Sequence, residues 1–226
     1  MSEFIIETNK VNRYFPVAGG EDFHALKDIT IQVPSLSLTI LRGRSGSGKT
    51  TLMNLLGALD RPTNGSILFD GTDITKLTER QRDKLRRSRI GFIFQSVSLI
   101  PNMTAYENVE FSLRLASYKG DKKARVTECL RLVGLGSRMH HMPHELSGGE
   151  QQRVAIARAI AHKPTVIFAD EPTAELDTNT ALSVMKIFKD LVATEQLTII
   201  MTTHDTMLMS AADYILHIED GEIVNE

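Results

Sequence analysis

"SLSLTILRGRSGSGKTTLMNLLGAL", Ser35 to Leu59, decides the fold. It opens on a short apolar run, "SLSLTIL", of the kind that forms a strand buried on both faces. It closes on "KTTLMNLLGAL", whose apolar spacing is helical. Between the two, Gly43, Gly48, Lys49 and Thr50 satisfy G-x-x-x-x-G-K-[ST], a pattern that average residue usage produces by chance in roughly 1% of chains this long. The glycines of this loop, with Ser45, Gly46 and Ser47, let the backbone wrap an anion and aim N–H groups at it. Lys49 supplies a point charge toward the β and γ phosphates of a nucleotide, Thr50 a hydroxyl for Mg²⁺, and Thr51 a hydroxyl for the α phosphate. A flexible turn that binds nothing is a poor alternative, because a strand precedes and a helix follows as the motif requires.

Two further apolar runs end in chemistry. "TVIFADE" closes on Asp170 and Glu171, and "LTIIMTTH" on His204. Helical patterns such as "QQRVAIARAIA" lie between the runs, so the alternation predicts an α/β domain whose parallel sheet is covered by helices and binds ligands at the strands' carboxyl ends. Beside the phosphate loop, Asp170 reads as an Mg²⁺ carboxylate and Glu171 as a general base facing an attacking water. The first forty residues read differently: "FIIETNKVNRYF" and "LKDITIQV" suggest antiparallel strands, and "GSILFDGTDI" a further strand and turn. Residues from about 96 to 146 have mostly helical spacing and suggest a small separate lobe.

The bulk numbers fit this reading. The 226 residues are 42% apolar and 24% charged, with 26 basic against 28 acidic side chains and a net charge of −2. That balance argues against a general nucleic-acid binder. Cys129 is the one cysteine, so no internal disulfide is possible and a small core residue is the better reading. The N-terminus has no basic start followed by a long apolar region, and the apolar runs are too short to cross a bilayer. The chain is expected to be soluble, with any membrane role coming through a partner.

"HELSGGEQQR", His144 to Arg153, offers a second glycine-rich helix start about a hundred residues after the first. With it, Gln95 in "IGFIFQ", "EPTAELD" and His204 in "MTTHD", the chain resembles the nucleotide-binding subunit of ABC transporters over nearly its whole length. "LMNLLGALDRPTNG" and "IGFIFQSVSLIPNMTAYENVEF" look like the branch containing lipoprotein-releasing and macrolide- or peptide-efflux ATPases. The resemblance implies one nucleotide-binding domain over 1–226, a P-loop NTPase (RecA-like) core with an N-terminal antiparallel β subdomain and a helical subdomain. It implies ATP and Mg²⁺ as ligands and a head-to-tail dimer in which each ATP lies between the P-loop of one copy and the signature motif of the other. Ser147, Gly148 and Gly149, followed by Glu150, would then meet the nucleotide held by the partner's Lys49. The same likeness has Gln95 sense Mg²⁺ and water, His204 contact the γ phosphate, and Asp177 run across the seam. An aromatic of the N-terminal β region would stack on adenine: Phe15, directly before Pro16, or its neighbour Tyr14. A membrane permease is the implied second partner, from the cytoplasmic face, with no nucleic acid; export is the implied direction. Glu175 departs from the family pattern, which often has a small or amide residue there, and adds negative charge near the seam.

Other features carry less. His140, His141 and His144 invite a metal reading, but no cysteine neighbours them and a fourth ligand is unassigned. Arg80, Arg82, Lys84, Arg86, Arg87 and Arg89 read first as a solvated helix face, with docking to acidic loops or lipid headgroups as the alternative. Met207 and Met209 suit a helix packed on the core. ATPases acting on chromosomes share the signature motif but usually carry long coiled-coil insertions, and none is seen here. A non-hydrolytic nucleotide sensor sits poorly with Glu171 and His204.

Overall fold

The computed structural model describes residues 2–224. A long strand, β1 (Phe4–Phe15), pairs antiparallel with β2 (Phe23–Ile29), β3 (Gln32–Pro34) and β5 (Asn64–Phe69), and β5 carries the short β6 (Thr72–Asp73). The second sheet runs through β4 (Leu38–Arg42), β7 (Ile90–Ile93), β8 (Val166–Ala169), β9 (Thr198–Thr203), β10 (Tyr214–Glu219) and β11 (Glu222–Val224). Its order is β11-β10-β4-β9-β8-β7, parallel throughout except for the β10–β11 hairpin. The runs read as doubly buried strands are its centre: every residue of β8 and β9 is buried.

Side-chain alternation divides the core in two. Ile40, Ile167, Ile199 and Met201 point into one cluster, shared with α3 (Ala105–Leu115), α4 (Lys122–Leu132), α5 (Gly148–Ile160) and α6 (Thr178–Glu195). Leu41, Phe168 and Ile200 point into the other, where α1 (Lys49–Leu56) meets the antiparallel sheet. The parallel strands are thus covered on both faces, which leaves their carboxyl ends as the open edge.

Between 96 and 146 the regular elements are α3, α4 and a 3₁₀ turn at Pro143–Glu145. Thr104 and Glu107 form a reciprocal cap at the start of α3, which satisfies its free N–H groups. Cys129 is fully buried in this cluster, and burial pushes its thiol up to about 12, in keeping with a core role. Arg125 of α4 is also buried and donates to the carbonyls of Ile160 and Ala161 at the end of α5 and to Glu195 at the end of α6. Burial, the largest single influence, lowers its pKa, but Glu195, Cys129 and Glu128 together outweigh it and the net direction is up.

Two expectations need correction. The basic helix, α2 (Glu79–Arg89), is not uniformly solvated. Arg82 is only 4% exposed and donates to the carbonyls of Ala58 and Asp60, which follow the last turn of α1. Arg86 also donates to Ala58, and Arg89 pairs with Asp70 at 2.7 Å. The reason is chemical: a helix end leaves carbonyls unpaired, and guanidinium forks satisfy them. The helix after His204, α7 (Thr206–Met209), is a single turn; Met209 packs inward, but Met207 is 60% exposed.

Candidate functional site

The loop after β4 hands the chain to α1 through Gly48, whose φ of 103° lies in the left-handed region that a side chain resists. Lys49 follows as the first residue of that helix. Its ammonium is buried and donates to the carbonyls of Gly43 and Arg44 at 2.8 and 2.9 Å, so its stem bends back over the loop. Ser47 Oγ is buried without a hydrogen-bond partner among the described residues. A folded-back lysine at a helix start that borders an open cavity is suited to a polyanion.

The carboxyl ends of β8 and β9 meet this loop. Asp170 Oδ2 accepts from Thr50 Oγ1 at 3.0 Å, which joins the two oxygens expected to face a cation. Asp170 Oδ1 accepts from Thr202 Oγ1 at 2.6 Å, and the same hydroxyl accepts from the Glu171 N–H at 2.8 Å. Glu171 takes a left-handed φ of 44°, an unusual conformation for a residue with a side chain. His204 Nδ1 stands 3.5 Å from Glu171 Oε2. A cavity of about 540 Å³ contains Ser45, Gly46, Lys49, Thr51, Gln95 and Glu171 in its walls, with Thr50 and Asp170 among them. Sequence reasoning missed Thr202. Its signal was present: a threonine inside a strand buried on both faces, two residues before His204, has to find a polar partner.

One wall of that cavity is formed by Phe23 and Ala25 of β2. Tyr14 stacks on His24 with centroids 4.0 Å apart, and Phe15 carries Arg13 over its ring at 4.4 Å. Phe15 and Phe23 are cross-strand partners, and Phe23 is 58% exposed, so the aromatic edge beside the loop holds three rings where the sequence suggested two.

The second glycine-rich stretch lies outside this cavity. Ser147 caps α5: its Oγ accepts from the Glu150 N–H at 3.2 Å, and Glu150 Oε2 accepts from the Ser147 N–H at 2.9 Å. Those bonds from Ser147, backbone first, hold the Glu150 carboxyl below its usual range. Glu150, grouped from the sequence with the nucleotide contacts, is thus engaged in the cap of its own helix. Ser147 and Gly148 are exposed. Asp177 likewise caps α6, accepting from the N–H groups of Asn179 and Thr180 and from the Thr180 hydroxyl, which keeps its carboxyl below the usual range. Glu175 is exposed. His141 lies 3.0 Å from an Arg138 nitrogen and His140 stacks on Tyr106, so two of the three clustered histidines have protein partners.

Comparison with known proteins agrees with this geometry. A family model described as ABC transporter matches residues 26–174. The chain is 42% identical over 97% of its length to the lipoprotein-releasing system ATP-binding protein LolD of Syntrophotalea carbinolica, covering 96% of that protein. It is 43% identical over 98% of its length to the macrolide export ATP-binding/permease protein MacB of Syntrophobacter fumaroxidans, but spans only 31% of that longer chain. Among solved structures, the ATP-binding cassette MJ0796 of Methanocaldococcus jannaschii, in a dimeric post-hydrolysis state bound to ADP and Pi, superposes with a TM-score of 0.88 at 36% identity over 97% of both chains.

Proposed function

This chain belongs to the ABC transporter family as an ATP-binding cassette, and from that premise we propose how its residues divide the work of ATP hydrolysis. The P-loop from Gly43 to Thr51 cradles the phosphates with its N–H groups. Lys49 turns from the loop carbonyls to the β and γ phosphates. The oxygens of Thr50 and Asp170, with Gln95 in the same cavity, fit a divalent cation that prefers few carboxylates and completes its shell with phosphates and water. Mg²⁺ bound there would neutralise charge on the phosphates. Glu171 orients and deprotonates the attacking water, and His204, close to that carboxylate, holds the γ phosphate in place. The adenine stacks on Phe15, with Tyr14 as the alternative since adjacent strand residues face opposite ways, beside Phe23 of the cavity wall.

The observation that carries this reading is a separation. Lys49, Thr50, Asp170, Glu171 and Thr202 converge through direct contacts or a shared cavity, while Ser147, Gly148 and Gly149 begin a helix outside it. A second copy placed head to tail brings that helix N-terminus to the γ phosphate, where its partial positive charge is most useful. The testing experiment is sedimentation of Glu171→Gln with ATP and Mg²⁺. A stable dimer with turnover reduced about a thousandfold is expected; a monomer at saturating ATP, or undiminished turnover, would overturn the assignment.

The membrane partner follows from a second surface. A groove of about 470 Å³ between β7 and α3 exposes Phe94, Phe111 and Leu115 beside Gln95. Among the described residues no helix is long and apolar enough to cross a membrane. We assign the groove to a cytoplasmic segment of the permease, which would place this chain on the cytoplasmic face and couple docking to the Gln95 side of the site. The lipoprotein-releasing and macrolide-export relatives support an export system. Co-purification with a permease from membranes, lost on Phe94→Ser together with Phe111→Ser, is the corresponding test.

A further inference from the structure

The first turns of α5 and α6 are in direct contact through one side chain. A Cβ placed on Gly149 would lie 2.5 Å from Thr180 Cγ2, a distance no real pair of carbons tolerates, whereas Thr180 Cβ and Oγ1 are at 3.7 and 3.8 Å. The methyl alone therefore fills the space beside Gly149. The hydroxyl of the same residue faces the other way, donating to Asp177 Oδ2 at 2.5 Å, while the Thr180 N–H reaches Asp177 Oδ1 at 3.1 Å. Thr180 is the third residue of α6, where a side chain reaches back over the cap, and Gly149 is the second of α5. One threonine thus holds the glycine of one stretch with its methyl and the aspartate of the other with its hydroxyl.

We propose that Thr180 is a positioning residue that fixes the Ser147–Gly149 turn to Asp177, so that both segments reach the partner's nucleotide as a single rigid surface. This rests on the dimer reading above. A turn that presents donors to a polyanion loses less freedom on binding when it is already fixed to the neighbouring helix start. The two arms of the threonine can be removed separately. Thr180→Val keeps a methyl against Gly149 and removes the hydroxyl from Asp177; Thr180→Ser does the reverse.

The test uses the full-length chain in the Glu171→Gln background and reads two quantities. The first is the ATP concentration that gives half-maximal dimer. It should rise about tenfold for Thr180→Val, the order expected for a lost hydrogen bond to a charged group. Thr180→Ser should cost about threefold through the lost methyl contact. The second is the Tm of the nucleotide-free protein. Gly149→Ala should lower it by about 5 °C through overpacking. Adding Thr180→Ser should bring it back to within about 2 °C of Thr180→Ser alone, because the obstructing methyl is gone. Additive Tm losses would refute the contact, and unchanged half-maximal ATP in both Thr180 variants would refute its role at the seam. If the Glu171→Gln parent itself never dimerises, the dimer reading falls and takes the seam role with it, while the Tm cycle still decides whether the contact exists.

Discussion

The two glycine-rich helix starts of this chain look alike in sequence and differ in how they are finished. The first, ahead of α1, is left open: among the described residues its lysine bonds to the carbonyls of its own loop, one buried hydroxyl has no partner, and a cavity stands beside the helix start. The second, ahead of α5, is closed on itself by the reciprocal cap of Ser147 and Glu150. The first is built to receive a ligand from solution. The second is a pre-formed, capped helix start that presents its dipole outside that cavity. An ATPase that assembles its site from both has a simple division: one half captures the nucleotide, and the other judges whether two copies have met.

The largest expected effect separates the halves outright. Lys49→Ala should weaken ATP binding by the monomer about a hundredfold, since charge-assisted contacts to phosphate are lost. Ser147→Arg should leave monomer affinity within about twofold while preventing dimer formation by its bulk at the seam. Equilibrium binding on each variant checks both, and equal losses would end the division.

Next comes the far end of the second helix. Arg125 ties the last carbonyls of α5 to Glu195 of α6. Arg125→Ala should lower unfolding free energy by about 3 kcal/mol, because it leaves a partly buried carboxylate and two carbonyls unpaired. Denaturant titration measures it; a change below about 1 kcal/mol would mean that α5 does not depend on this anchor.

A smaller effect probes the first half. Thr202→Val removes the hydroxyl that holds Asp170 and the strained Glu171 backbone while keeping the side chain's shape. A fall in kcat of about tenfold is expected, with KM for ATP changed less and Thr202→Ser restoring most of the rate. An equal loss in KM would make Thr202 a binding residue. Smallest of all, Glu175→Asn should raise or leave unchanged the ATP-dependent dimer fraction, by removing a charge near two nucleotides. A clear fall in that fraction would count against repulsion at the seam.

Much of this was legible in the sequence, for a physical reason. The buried strands announce themselves as short β-branched runs whose ends carry polar residues, so spacing and polarity pointed to the P-loop, Asp170 and Glu171, while the role of His204 came from the family resemblance. The capping of α5 by Ser147 and Glu150 obeys a local four-residue rule, yet the sequence grouped Glu150 with the nucleotide contacts because a motif does not reveal which donor a carboxylate accepts from. Arg82 and Arg125 were illegible for the opposite reason. A basic residue on a helix looks solvated until tertiary packing brings it to an unpaired helix end, as Arg82 meets Ala58 and Arg125 meets Ile160. Thr180 joins elements distant from each other along the chain, and only the packing of two helix starts exposes its double contact.

Mixing two inactive variants tests the shared site most directly. Lys49→Ala breaks every capturing half, and Ser147→Arg breaks every opposing half, so neither homodimer has an intact site. In an equal mixture the heterodimer holds one site made of two intact halves, and about a quarter of wild-type ATPase activity should return. If the mixture stays as inactive as its components, or if Ser147→Arg alone hydrolyses ATP at the full rate, the nucleotide is not shared between copies.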